Sequence, residues 1–137
     1  MSLGPAIVYK LSSDAGVSAI VVDRIYPQYV RENDRLYPMI VYKIDNVDPQ
    51  MTHDGPNGLE SADLTLAAIG MSQVDARLLA EAIQTSINGS RGVWGDLTVQ
   101  GCFLKDDGIN DDVITEPTTE EILAYVKELS FTVWYAK

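Results

Sequence analysis

The clearest pattern along the chain is an alternation of apolar and polar side chains that begins at Met39. From 39 to 45 both alternating sets start apolar and one becomes polar, which is typical of a long strand whose far end leaves the core. From 61 to 68 apolar residues occupy every second position, which predicts a half-buried strand; these residues are Ala62, Leu64, Leu66 and Ala68. Between them, residues 48–58 are rich in Pro, Gly, Asp and Asn, so we expect a turn that joins the two strands into an antiparallel hairpin.

A second pattern, with helical spacing, follows this hairpin. Ser72 is placed to cap the first turn of a helix, and Asp75 suits the positive end of the helix dipole. Gly89 is placed to end the helix, because glycine adopts positive φ at little cost. The apolar stripe that we expect to face the core comprises Val74, Leu78, Leu79, Ala82, Ile83 and Ile87.

The C-terminal half predicts two more strands. Over 97–103 one set of alternate positions is mostly apolar, namely Leu97, Val99, Gly101 and Phe103. Over 125–135 the alternation continues unbroken and is rich in β-branched and aromatic residues, which favours a strand over the alternative of a helix at 122–129. The glycine-rich residues 89–95 are interpreted as a connection between helix and strand.

The N-terminal pattern is weaker. Pro5 suits the first turn of a short helix over about 4–12, and Asp14 can cap a second short helix that ends at Val21. A short strand is predicted at 24–26, followed by a polar loop over 27–37. The predicted fold is therefore α+β: an antiparallel sheet of two hairpins, with one long amphipathic helix packed on one face and short N-terminal helices, in a single domain of residues 1–137.

Charge narrows the possible functions. The 137 residues include 20 acids and 10 Lys or Arg, which gives a net charge of −10. This balance argues against a protein that grips nucleic-acid phosphates and against one that anchors on an anionic membrane. Residues 106–121 contain seven acids and no base, so one short segment, which we expect to be a loop, carries most of the imbalance.

Candidate chemistry is sparse. The single cysteine, Cys102, allows no internal disulfide, and with the single histidine, His53, it leaves too few ligands for a zinc site within one chain. An EF-hand pattern fails, and a looser calcium site around the aspartates of the acidic segment remains as an alternative to a solvated loop. A Cys102–His53 nucleophilic pair lacks any flanking signature, so we predict a packed cysteine and no catalytic, cofactor or metal site.

The N-terminal residues have neither a basic start nor a cleavage site, and no apolar run approaches the roughly 20 residues of a spanning helix. We therefore expect a protein made in the cytoplasm.

The chain as a whole resembles the tail-completion, or tail-to-head joining, proteins of long-tailed bacteriophages and prophages. The matching pieces follow one another along nearly the full length, and their joint order carries the resemblance. They are MSLGPAIVYKLSSDAGVSAIV, DRIYP, YPMIVYKI, HDGPNGL, QVDARLLAEAI, VQGCFLKDD and LSFTVWY.

This resemblance implies a non-enzymatic structural protein of the virion, related in fold to the tail terminators of phages such as lambda and assembled in the bacterial host cytoplasm. It implies a ring of six copies between the head connector and the tail tube protein, through which DNA passes without specific binding. The acidic segment departs from the family, and it supplies candidates for partner contacts or for a DNA-repelling channel wall: Asp106, Asp107, Asp111, Asp112 and Glu116. The alternatives are a tail terminator on the tail tube and, from another class, an acidic DNA-mimic inhibitor.

Overall fold

The computed structural model describes residues 3–22, 24–27, 37–52, 55–115 and 118–136, without the side chains of 48–59 and 107. Within these ranges the chain is α+β, as predicted. The elements in chain order are α1 (Leu3–Ser13), α2 (Ala15–Val21), β1 (Ile25–Pro27), β2 (Met39–Thr52), β3 (Gly55–Gly70), α3 (Gln73–Ile87), β4 (Gly92–Trp94), β5 (Leu97–Thr115) and β6 (Ile122–Ala136).

The described strands form one strongly curled sheet in the order β1-β2-β3-β6-β5-β4. Both predicted hairpins, β2–β3 and β5–β6, are present, and antiparallel pairing of β3 with β6 joins them. The sheet is nevertheless mixed and not purely antiparallel, because β1 pairs with β2 in parallel, from Ile25 opposite Ile40 to Pro27 opposite Tyr42. Local alternation identifies a strand but not its partner or direction, so the sequence pattern missed this parallel pair.

The main core lies between one face of the sheet and the three helices. Its centre consists of side chains from β3 and β6 on one side and from α3 on the other, and all are fully buried: Leu64, Leu66, Leu129, Phe131, Leu79 and Ile83. Burying each such side chain stabilises the fold by about 1.5–3 kcal/mol. The predicted inward set of β3 is thus confirmed.

Both predicted helix caps are present. The Ser72 hydroxyl accepts the Asp75 N–H at 3.1 Å, and the Asp14 carboxylate accepts the Val17 N–H at 3.1 Å. Each bond satisfies one of the free backbone donors at a helix start.

The predicted core stripe of α3 is wrong at two positions, because Val74 is 53% and Leu78 47% exposed. The buried face is instead centred on Ile83, and the small side chains Ala76 and Ala80 complete it. Small residues belong there because α3 begins close against the end of β3: a Cβ added to Gly70 would lie 2.9 Å from the backbone nitrogen of Ala76.

The strands are longer than predicted. β2 reaches Thr52 and β3 begins at Gly55, so most of the predicted 48–58 turn is strand backbone. Residues 106–115 are also strand, part of β5, and not the predicted acidic loop. β6 is a strand throughout, which rules out the helical alternative at 122–129, and β4 forms within the predicted 89–95 connection. Most of the predicted 27–37 loop lies outside the described residues.

An irregularity in the β5–β6 ladder changes which side chains face the core. Val99 lies opposite Tyr135 but Gly101 lies opposite Trp134, so β5 has one extra residue there. A bulge of this kind reverses the alternation that follows it. Phe103, which alternates with the buried Leu97 and Val99, is therefore 54% exposed, while Cys102 is fully buried, as predicted for a packed cysteine.

A larger irregularity follows at residues 105–108. Leu104 lies opposite Phe131 and Ile109 lies opposite Leu129, so three extra residues of β5 are accommodated there. A Cβ added to Gly108 would lie 2.6 Å from the backbone oxygen of Ser130. The backbone can approach β6 this closely only because residue 108 has no side chain.

We expect Gly108→Ala to lower the free energy of unfolding by about 1–3 kcal/mol, because the added methyl group meets backbone and not a side chain that could move. Urea unfolding followed by circular dichroism measures this loss. Asn110→Ala is the control, since Asn110 is exposed on the same strand and its loss should cost at most about 0.5 kcal/mol. Equal stability of the Gly108→Ala protein and the wild type would contradict the close approach.

Candidate functional site

The acids that the sequence analysis identified as candidates do not lie together in the structure. Asp106 is exposed within the 105–108 irregularity, while Asp111 and Asp112 lie in the following segment of β5, residues 109–115, which we call the outer half. Being adjacent on a strand, Asp111 and Asp112 point to opposite faces of the sheet. Glu116 lies outside the described residues, as does the side chain of Asp107. No common acidic centre is formed by the three described aspartates.

Two of these aspartates have local partners. Asp111 lies opposite Lys127 of β6, and its carboxylate is 3.6 Å from the Lys127 ammonium group. The Asp112 carboxylate accepts the N–H of Val113 at 2.8 Å. Both aspartates are exposed, so these contacts orient the side chains but contribute little to stability.

In the described part of the chain, the side chains are not arranged for the metal binding or the cysteine nucleophile that the sequence analysis considered. No three His, Cys, Asp or Glu side chains there are arranged to hold a metal ion. Desolvation by burial raises the pKa of the Cys102 thiol to about 12, so at neutral pH it is protonated and a poor nucleophile. His53, its hypothetical partner, lies outside the described residues.

A groove of about 560 Å³ separates the first half of α3 from the outer part of the β5–β6 hairpin. We call it the α3–β5 groove. Its lining residues come from both walls and comprise Gln73, Val74, Ala76, Arg77, Asp111, Asp112, Val113, Tyr125, Val126 and Lys127. It forms because the core side chains of β6 end at Leu129, and Lys127 and Tyr125 take the next positions on the same face.

The groove runs beside an unpaired strand edge. On the side of β5 away from β6, β4 covers only Leu97–Val99. The end of α3 covers the next positions, since the Gly89 N–H donates to the Cys102 carbonyl at 2.6 Å and the Leu104 N–H donates to the Asn88 side chain at 3.0 Å. From 105 to 115, no strand among the described residues pairs with this edge.

Two of the exposed apolar side chains, Val74 of α3 and Val113 of β5, line the α3–β5 groove. Leu78 lies one turn after Val74 on α3 and is also exposed. Ile109 is exposed on the same face of β5 as Val113, and Asp111 lies between them on that face. Sequence reasoning missed this surface because it assigned Val74 and Leu78 to the core. Ala76 and Ala80, at helical spacing with Ile83, were the signal that the buried face lies elsewhere.

A polar link anchors the strand just before the acidic outer half. Lys105 reaches from β5 across the sheet to Asp63 of β3, with its ammonium group 2.9 Å from the carboxylate. The same carboxylate accepts a hydrogen bond from the Asn46 side chain of β2 at 2.6 Å. The hydrogen bond from Asn46, and then that from Lys105, lower the pKa of Asp63 below its usual value of 3.8. Three strands are thereby joined through one carboxylate.

We expect Asp63→Ala to lower the free energy of unfolding by about 1 kcal/mol, because it removes a half-exposed carboxylate together with its contacts to Lys105 and Asn46. Since the folded pKa is lowered, this stabilisation is fully present above the unfolded pKa and is lost as the pH falls through the folded one. Urea unfolding of both proteins at pH 7, 4 and 3 should therefore show their difference shrinking below about pH 4. Asp45→Ala removes the more exposed contact with Lys43 and is the matched control. A difference that grows at acid pH would contradict the assignment.

Comparison with known proteins gives one family. Residues 5–118 match the family described as Tail completion protein gp17. Among solved structures, a chain from the structure titled "Virion of native gene transfer agent (GTA) particle" is similar in fold, with a TM-score of 0.75. The two sequences are 15% identical, and the alignment covers 99% of this chain and 96% of that one. No curated protein matches the sequence. Within the described residues, no helix has the length and apolar character needed to cross a membrane.

Proposed function

Since the chain belongs to the Tail completion protein gp17 family, we propose that it forms a ring at the head–tail junction of a long-tailed phage or prophage. Family membership makes it a structural component of the virion and not an enzyme. In the proposed role, six copies join the head connector to the tail tube protein, and DNA passes through their centre without specific binding. The whole of residues 1–137 acts as a single domain in this ring.

The family match over residues 5–118 is the observation that carries this proposal. The likeness to a chain from a gene transfer agent virion supports it, because that chain also serves within a particle. The fold similarity extends over 99% of this chain, so the proposed role is compatible with the fold of nearly the whole chain.

The surface of the subunit is also suited to assembly. The edge of β5 from 105 to 115 leaves backbone donors and acceptors without a strand partner among the described residues, and exposed apolar side chains flank it. Such features are costly on a protein that stays alone, and neighbouring subunits or partner proteins cover them. A structural protein that works through contacts, and not through a reaction, needs surfaces of this kind.

We expect a phage that lacks this protein to produce separate heads and tails, and purified protein to join them. Electron microscopy counts joined particles before and after the addition, and an averaged map of the junction gives the copy number. Pull-down of the protein with purified connector and with purified tube protein separates a joining protein from a terminator, which would bind the tube protein alone. Particles that join equally well without the protein would contradict the proposal.

The acids of residues 106–116 give a second test of the same role. We propose that Asp106, Asp107, Asp111, Asp112 and Glu116 either contact a partner or line the channel, where negative charge would keep DNA from adhering. Asp111→Lys combined with Asp112→Lys should then impair joining if these acids contact a partner. If they line the channel, joined particles should form but release DNA more slowly in an ejection assay. Asp96→Lys is the control, since Asp96 is an exposed acid at the β4–β5 turn. Normal joining and normal release in the double variant would exclude both roles for Asp111 and Asp112.

A further inference from the structure

We infer that neighbouring copies of the proposed ring bind one another through two different surfaces of each subunit: an apolar ridge on α3 of one copy packs on an aromatic patch of the next. The α3 ridge comprises Met71, Val74 and Leu78, and the Phe103 patch comprises Val93, Phe103 and Trp134. This inference rests on the proposed function, because it names the surfaces through which the copies of that ring meet.

The α3 ridge is an apolar surface that the fold leaves in solvent. Met71 is 61%, Val74 53% and Leu78 47% exposed. Val74 and Leu78 are one turn apart and project from the same side of α3, and Met71 comes two residues before the helix begins. The opposite side of α3, with Leu79 and Ile83, already packs on the sheet. A helix that is apolar on two sides has a second surface to bury.

The Phe103 patch lies on the face of the sheet away from the helices. Phe103 lies opposite Thr132 of β6, whose neighbour Phe131 is in the core, so Phe103 points away from the core. The same alternation places Trp134 on this face, next to the buried Val133. The three helices pack against the other face, so they do not cover this patch.

Gly101 allows the patch to be flat. A Cβ added to Gly101 would lie 2.6 Å from Cε2 of Phe103, so the ring lies across the strand at the glycine. Gly101 is opposite Trp134, which makes the two aromatic side chains neighbours on this face. Val93, 69% exposed, extends the patch onto β4, since it lies opposite the exposed Thr98. A flat apolar sheet surface suits the ridge of a helix, as in the packing of α3 within the subunit.

The positions of the two surfaces favour a contact that repeats from copy to copy. The α3 ridge lies on the helix side, where β3 passes into α3, whereas the Phe103 patch lies on the other side, near the turn from β4 to β5. One subunit therefore cannot bring its own ridge onto its own patch. Two different surfaces that bind one another make a head-to-tail contact, which closes a ring when the rotation allows. Ridge packed on ridge would pair only two copies.

Charge permits this contact although each copy carries a net charge of −10. Neither surface contains an acid, and the acid-rich residues 106–121 lie outside both. At the margin of the ridge, Asp75 is exposed beside Leu78. At the margin of the patch, Arg91 is exposed and forms no ion pair within the described part of the chain, so it can pair with an acid of the neighbour. Repulsion between the remaining acids is screened beyond about 10 Å at 0.1 M salt.

Cross-linking tests the contact directly. Full-length Leu78→Cys and Val93→Cys proteins are mixed at high concentration and treated with a short bismaleimide, and the products are separated under denaturing conditions. We expect linked dimers from the mixture but not from either variant alone, and a ladder beyond the dimer from a chain with both cysteines. The native Cys102 does not interfere, because it is fully buried and its thiol is protonated.

The matched control replaces Leu78→Cys with Thr85→Cys, at an exposed position on the second half of the same helix. This variant should give only background dimer when mixed with Val93→Cys. Equal yields from Thr85→Cys and Leu78→Cys would overturn the inference. Dimers from Leu78→Cys alone would show ridge packed on ridge, and a double variant that stops at the dimer would show a closed pair; either result would also overturn it.

Substitution and salt distinguish an apolar contact from an ionic one. Leu78→Glu should weaken self-association, measured by sedimentation, about tenfold or more, because a carboxylate would then be buried against the Phe103 patch. Thr85→Glu adds the same charge to the same helix and should weaken it less than about threefold. Because like-charged copies meet through apolar side chains, raising NaCl from about 0.05 to about 0.5 M should strengthen association of the wild type. Weaker association at high salt would contradict the inference.

The joining assay separates this inference from the function on which it rests. Joined particles assembled with the double-cysteine chain should give the same ladder after cross-linking. If heads and tails join but no ladder forms in the particles or in solution, the contact is wrong and the joining role stands. If the ladder forms in solution but heads and tails join equally well without the protein, the contact stands and the joining role fails.

Discussion

The pairing of β3 with β6 is the interaction on which the rest of the structure depends. Twelve consecutive pairs, from Leu59 opposite Ala136 to Gly70 opposite Tyr125, run without an irregularity. Because a strand alternates its faces at every residue, this uninterrupted register keeps Ala62–Ala68 of β3 and Leu129–Val133 of β6 in step, so that their alternate apolar side chains share one face on which α3 packs. The irregularities of both hairpins occur where β3 and β6 pair with their outer neighbours, β2 and β5, and they do not interrupt the pairing of β3 with β6.

The centre of the sheet, β3 and β6, and its flank, β5, have different roles. The centre holds fully buried apolar side chains, and Cys102, in the part of β5 that packs on this core, is likewise enclosed and protonated. The flank formed by β5 carries exposed apolar and acidic side chains beside an edge that no described strand covers from 105 to 115. A protein that acts by contact with its neighbours needs a rigid centre and an adaptable flank, and the polar link from Lys105 to Asp63 ties the second to the first.

The sequence predicted those features that depend on residues close together in the chain, and missed those that depend on pairing or packing with distant residues. The inward set of β3 and the Ser72 cap follow from nearby residues and are confirmed. The strand at 106–115 was missed because Asp, Gly and Asn are typical of turns, whereas pairing with β6 decides the backbone there. The alternation over 97–103 does not show that the core-facing set changes at Gly101, because a one-residue bulge leaves no local signal. At the candidate site, charge located the acids, but the apolar walls of the groove depend on how α3 is rotated, which the periodicity of its apolar residues alone does not determine.

The irregularity at residues 105–108 has a consequence for how such proteins diversify. It lies between the part of β5 that belongs to the core and the outer half that does not, and Lys105 fixes the strand immediately before the outer half. Lengthening or shortening the hairpin beyond this point leaves the pairing of Leu104 with Phe131 in place, so the core does not have to be redesigned. The hairpin tip can therefore diverge in length and charge, fitting one scaffold to neighbours of different shape.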